Sequence, residues 1–315
     1  MVITIGSRIF TPQDIVLRDD ALHRKGSFGR AETWYYNGIF DNNYSIVTLV
    51  NVIHMGYLSF VLAGLSIYKD TKLVKRLRSR NPYKCFYGSE KEPLIKINDQ
   101  QIIKGYISKD TKRWIYQISM GNDNQGVDLE FIKTTKAWKG KTFLGDWLVI
   151  PRFEVNGRIY LNGDAISVSG EGYHDHNIYP IYASLVNKGY QNGKIPIDSM
   201  NITWARVMKN RANEELIVVL NRNQEYITIN PKDVHFTIEK QVMDHGKRIP
   251  TTCCLNVEND LLQLDVKMES INFHHISIPT VNYWRHHVRN TGTIQIDSVS
   301  KKIDNIEISE YVKFL

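Results

Sequence analysis

Along most of the chain, apolar and polar residues either alternate or form apolar runs of five to ten residues between turn signals. Both patterns belong to β-strands, exposed on one face in the first case and buried on two in the second. The pattern predicts strands over 113–120 before Gly121-Asn122-Asp123-Asn124, 158–161 before Asn162-Gly163-Asp164, 215–220 before Asn221-Arg222-Asn223, 225–229 before Asn230-Pro231-Lys232, and 261–268. Helical spacing is confined to short stretches near 11–20 and 72–80.

One segment competes with this reading. From 42 to 66 there is no Asp, Glu, Lys or Arg, and the run 46–68 is long enough to cross a bilayer as a helix. Its polar Thr48, Asn51, His54, Ser59 and Ser66, its breaks at Gly56 and Gly64, and its β-branched and aromatic content favour two strands instead. The expectation is a hairpin of 44–53 and 57–68 turning at His54-Met55-Gly56. Many short strands at about ten-residue spacing predict an all-β chain of sandwiches or barrels. An eight-stranded barrel uses roughly 120–150 residues, so two fit in this length. The polar stretch 187–199 is the expected linker, giving an N-terminal barrel over 1–190 and a C-terminal barrel over 191–315. No strand is followed by a Gly-x-Gly-x-x-Gly turn opening a helix, so a dinucleotide fold is excluded.

Composition narrows the picture only a little. The chain has 315 residues, a net charge of +7 and a sequence pI near 9.1, a mild excess spread along its length. The densest basic run, Lys72, Lys75, Arg76, Arg78 and Arg80, reads as a solvated loop or short helix rather than a phosphate or membrane contact. It has no aromatic stacking platform beside it, so no nucleic-acid partner is expected. Cys85 and the adjacent Cys253 and Cys254 are an odd set with poor bridging geometry, which predicts reduced thiols and a cytoplasmic chain. Residues 1–10 lack a basic start followed by an apolar core, so no signal peptide is expected.

The densest chemistry is Gly170-Glu171-Gly172-Tyr173-His174-Asp175-His176-Asn177. If the preceding strand continues through it, His174 and His176 share one face while Tyr173, Asp175 and Asn177 share the other. Several readings stand side by side. The His-x-His pair with Asp175 could hold a metal, if His274, His275, His286 or His287 supplied the missing ligand. Asp175 could be a buried acid kept protonated by an apolar cavity. The polar groups could orient a greasy ligand, or form a structural hydrogen-bonded network. The pairs His274-His275 and His286-His287 place one imidazole on each face of a strand, which argues against a joint site.

The Gly-x-Gly-Tyr-His-Asp-His-Asn stretch, preceded by Asn156-Gly157 and Asn162-Gly163, resembles the lipocalin-like family that includes carotenoid 1,2-hydratase and the AttH-type proteins. Fungal calycin-like cyclases and Diels–Alderases are more distantly similar. Weaker matches are Glu32-Thr33-Trp34-Tyr35-Tyr36, Val127-Asp128-Leu129-Glu130-Phe131, Trp204 within Ile202–Arg206, and Glu310-Tyr311. The resemblance implies two calycin-type barrels and addition of water to an isoprenoid double bond with no cofactor and no metal. By position it implies Asp175 as proton donor, Tyr173 as its neighbour, and His174 and His176 as groups that orient or recharge the carboxyl. Trp34, Tyr36, Trp147, Asn177 and Trp204 would line the substrate. Gly145 stands where the hydratase pattern has a histidine, with Asp146 as the group that could stand close by. The expected partner is a hydrophobic small molecule, taken up by an enzyme or by a non-catalytic carrier, with a membrane surface as a further contact.

Overall fold

The alternation resolves into two antiparallel sheets in a computed structural model that describes residues 8–10, 15–24, 28–142, 144–209, 214–222, 225–278, 281–297 and 299–314. Two compact units result, Arg8–Tyr182 and Ala183–Leu315. The stretch expected as a linker is instead a strand, Asn187–Ile197, paired with Met200–Lys209 and with Val299–Phe314. Its polar residues lie on a ladder, which satisfies their backbone groups as well as a solvated loop would.

In the first unit the strands run in the order Lys72–Pro82, Phe60–Lys69, Tyr44–His54, Arg30–Phe40, Asp164–Pro180, Asp146–Leu161, Gln125–Lys133, Trp114–Asn122, Gln100–Ile107, Leu94–Ile97 and Phe86–Gly88. The sheet curls into a nearly closed barrel. Tyr36 of Arg30–Phe40 meets the ring of Tyr116, four strands away along the sheet, at 5.8 Å across the interior. The apolar hairpin is present as Tyr44–His54 and Phe60–Lys69 with a 3-10 turn at Gly56–Leu58. Among the described residues no helix is long and apolar enough to cross a membrane.

Two short-helix expectations change. Residues 72–80 belong to the strand Lys72–Pro82, paired with Phe60–Lys69 at the end of the sheet. Basic side chains on an edge strand discourage pairing with another chain, which accounts for the density of Lys and Arg there. Arg80 also lies 4.2 Å over the Phe60 ring. Of 11–20, residues 11–14 lie outside the described residues, and Leu17–Asp20 is one 3-10 turn.

Large buried side chains pack the interior of the barrel, among them Trp34, Tyr36, Tyr116, Phe131 and Phe153. A register shift between Ile150 and Phe153 lets both residues face inward, although a regular strand would send them to opposite faces. Opposite them, Gly172 leaves room for a ring, since a Cβ there would lie 2.6 Å from Phe131.

The second unit is a half-barrel whose core joins Ile202, Trp204, Leu220, Leu255, Val266 and Ile294. It buries two adjacent histidines, His286 and His287, and burial pushes both imidazoles down to about 4, helped by His287 beside the first and Arg285 beside the second. Their folded values lie below the ordinary ~6.5, so the unfolded chain takes up these protons first and stability falls as pH drops. The expected loss runs from about pH 6.5 down to about 4 and reaches about 3 kcal/mol for each histidine. Thermal melts followed by circular dichroism across this range should show it, and His286→Gln should flatten the acid limb.

Candidate functional site

The strand Asp164–Pro180 lies between Arg30–Phe40 and Asp146–Leu161, and the two registers fix which side chains share a face. His174 stands opposite Tyr36, and His176 opposite Trp34; Tyr173, Asp175 and Asn177 stand opposite Asn37, Tyr35 and Thr33. The alternation read from the sequence holds through the stretch, and the two sets occupy opposite faces of the sheet.

The histidine face is the barrel interior. Asp20, at the end of the Leu17–Asp20 turn, is fully buried there, with both carboxylate oxygens 3.0 Å from His174 Nε2. Its Oδ1 is also 3.0 Å from His176 Nδ1, and its backbone carbonyl accepts from Trp34 Nε1 at 2.9 Å. His174 Nδ1 faces the Tyr35 carbonyl at 2.9 Å, and His176 Nε2 faces Glu32 Oε1 at 2.9 Å. Rings close both histidines in: Tyr36 stacks on His174 at 4.0 Å and Trp34 on His176 at 4.4 Å.

Charge settles into this network against the cost of burial. Burial opposes ionisation of Asp20, but His174 and His176 outweigh it and hold the carboxyl well below the usual carboxylate range. Glu32 is likewise lowered to about 2, its burial overridden by His176 and His23. Burial disfavours the His176 imidazolium, yet the hydrogen bonds to Asp20 and Glu32 push it up to about 9. His176 therefore carries a proton between two carboxylates. Further out, Glu32 accepts from the His23 backbone N–H at 3.0 Å and meets His23 Nδ1 at 3.0 Å, with His54 Nε2 4.0 Å from its second oxygen.

The other face carries a second set. Tyr173 donates from its hydroxyl to Asp175 Oδ2 at 2.9 Å, and Asn177 Nδ2 donates to Oδ1 at 2.7 Å. Asp175 and Tyr173 are buried, and Tyr35 approaches Tyr173 edge-on at 6.3 Å. Trp147 and Val149 pair with Asn177 and Asp175 across the neighbouring strand, and Trp138 packs edge-on against Trp147 at 5.0 Å.

The structure thus separates residues that the sequence placed together. Tyr173, Asp175, Asn177 and Trp147 share one face. His174 and His176 project away from Asp175 and engage Asp20 and Glu32, so they neither orient nor recharge its carboxyl. Trp34 and Tyr36 belong to the filled interior, and Tyr35 is the member of that trio on the face of Asp175. Trp204 lies in the core of the second unit, its ring 5.4 Å from Phe236. Asp146 is exposed beside Lys141, on the face opposite Asp175, and cannot stand in for a partner of that residue. The His174–His176–Asp175 metal reading fails for the same reason, because Asp175 faces away and both nitrogens of His174 already have oxygen partners. Among the described residues the histidines and acids whose donor atoms converge are His23, Glu32 and His176, all within 4.8 Å of one another. Asp20, His23 and His54 carry no sequence signal, since each lies far along the chain from His176 and in no motif with it. Glu32 had one, as the first residue of the Glu32–Tyr36 motif.

No protein-family profile and no curated protein matches this sequence. Solved structures do match it in fold. An AttH candidate from Nitrosomonas europaea superposes with a TM-score of 0.69 at 12% identity, over 95% of this chain and 96% of that one. Kievitone hydratase from Nectria haematococca gives 0.64 at 13% identity, covering 91% of this chain and 90% of that one. CghA bound to Sch210972 gives 0.62 at 7% identity, covering 91% and 89%. The chain has the all-β, two-unit calycin-like architecture of these proteins.

Proposed function

We propose that the chain is a cofactor-independent enzyme of the hydratase or cyclase type, acting on an isoprenoid or other apolar substrate with Asp175 as its acid. The observation that carries this reading is the Tyr173–Asp175–Asn177 cluster, a buried carboxyl that has Asn177 and Tyr173 among its partners. The Asn177 amide marks Oδ1 as the carbonyl-like oxygen. That leaves Oδ2 to carry a proton, with the Tyr173 hydroxyl able to accept from it as well as donate to it at 2.9 Å. Protonation of an alkene by Oδ2 creates a carbocation, which aromatic faces stabilise and which water or a second double bond then captures. Trp147 and Tyr35 are among the aromatics on this face. Support at the level of fold comes from kievitone hydratase, a hydratase by name, and from CghA holding a small molecule.

The test is mass spectrometry of organic extracts from wild type and Asp175→Asn, both expressed in cells that make polyprenyl lipids. Asparagine keeps the shape and both hydrogen-bonded positions but has no carboxyl proton. The unaltered lipid is expected in the variant, with a species heavier by one water or a cyclised isomer in the wild type. Turnover of an identified substrate should fall by about 10²- to 10⁴-fold. The same unaltered lipid from both proteins would sink the enzyme reading and leave a carrier. One observation favours that second reading: Gly145 denies the chain the histidine of the hydratase pattern, and the backbone leaves no room for one, because an added Cβ would lie 2.1 Å from the Ile178 carbonyl oxygen.

A further inference from the structure

We propose that His23, Glu32, His54 and His176 form a binding site for a single zinc-class divalent cation at the end of the first barrel. The site is independent of the Asp175 chemistry, since its ligands lie on the opposite face of the sheet. Four separate segments supply them: the chain after the Leu17–Asp20 turn, then Arg30–Phe40, Tyr44–His54 and Asp164–Pro180.

The donor atoms are spaced for a small cation. Glu32 Oε1 is 3.0 Å from His23 Nδ1 and 2.9 Å from His176 Nε2, and the three converge within 4.8 Å. Tetrahedral zinc with bonds of about 2.0–2.1 Å separates its ligands by roughly 3.3 Å, so the two Glu32–histidine spacings need to open by only a few tenths of an ångström, while His54, outside the converging three at 4.0 Å from Glu32 Oε2, has to swing inward. Three imidazole nitrogens and one carboxylate are the ligand types that suit zinc rather than magnesium or calcium.

Two further features point to a ligand. His54 is buried, and its Nε2 has no hydrogen-bond partner although it lies 4.0 Å from Glu32 Oε2. A buried imidazole nitrogen left beside a carboxylate is poorly used by a purely structural cluster. The second feature is the back of His176. Its Nδ1 is held by Asp20 at 3.0 Å, which fixes the ring and aims Nε2 at Glu32. A carboxylate behind a ligating imidazole is the usual outer partner of a zinc-bound histidine. The neighbouring cation, Arg24, is engaged by the Gly88 carbonyl and Glu90. His23 is the half-exposed member and gives the ion its way in.

The experiment is a zinc chloride titration of the tag-free full chain after dialysis against a chelator, read by competition with a chromophoric chelator and by thermal melting, with cobalt as a spectroscopic substitute. One saturable equivalent is expected, with a raised melting temperature and the intense visible bands of four-coordinate cobalt bound to nitrogen and oxygen. His23→Ala removes the half-exposed ligand, and because it also takes a partner from buried Glu32 its zinc response is read against its own metal-free melting temperature; zinc should bind at least about tenfold more weakly. His54→Ala should also weaken binding, and its comparison isolates the buried ligand. Absence of saturable binding overturns the proposal. So does zinc binding that His23→Ala leaves unchanged, or cobalt bands of an octahedral aquo ion.

Discussion

Asp20→Ala is expected to destabilise the first unit by about 3–5 kcal/mol, the cost of removing one partner from a buried charged network. The loss is large because Asp20 serves both histidines, with two oxygens on His174 Nε2 and one of them also on His176 Nδ1. Glu32 stays on the far nitrogen of His176, while His174 Nε2 is left without the carboxylate it faces. Tyr36 and Trp34 cover the rings as stacked faces, so the His176 proton would be held beside a hole. Asp20→Asn should be nearly as harmful, because an amide cannot balance the imidazolium and presents a donor where an acceptor is needed. Urea unfolding of metal-free protein checks this. A double-mutant cycle with His176→Gln should recover about 1–3 kcal/mol of the single losses if the pair is coupled as the distances indicate. A cost below about 1 kcal/mol for Asp20→Ala would mean that the network is not a source of stability.

The second large effect concerns the position where the chain departs from the hydratase pattern. Gly145→His would restore the pattern's histidine, yet it is expected to cost about 2–5 kcal/mol and confer no activity. Gly145 has φ +154°, a conformation that side-chain-bearing residues rarely adopt, and its Cβ would meet backbone rather than a movable side chain. The displaced strand would begin at Asp146 and carry Trp147 away from the Asp175 face. Because the obstruction falls on Cβ, Gly145→Ala should already show most of the loss. Equal thermal stability of Gly145→Ala and wild type would refute the steric account.

Part of the candidate site was legible in the sequence. The period of two alone separated His174 and His176 from Tyr173, Asp175 and Asn177, because alternation across a pleated strand depends on the residue count and on nothing remote. The same local rule gave the apolar hairpin and the all-β class. It failed at 72–80, where alternating basic residues look solvated until the pairing with Phe60–Lys69 makes them an edge strand. It also failed at 187–199, where polar composition hid a ladder partner.

Local pattern could say that Tyr173, Asp175 and Asn177 share a face, but not which face of the sheet is packed interior. That depends on the curl of the whole thirteen-stranded sheet, and it decided that Trp34 and Tyr36 stack on histidines while Tyr35 joins Asp175. Nor could it pair His174 with Asp20, 154 residues away, or His176 with Glu32, 144 residues away. A strand's alternation is written in its own residues. A buried carboxylate's partners are set by register between distant strands and by a turn laid into the barrel end, and these emerge only when the whole chain has chosen its neighbours.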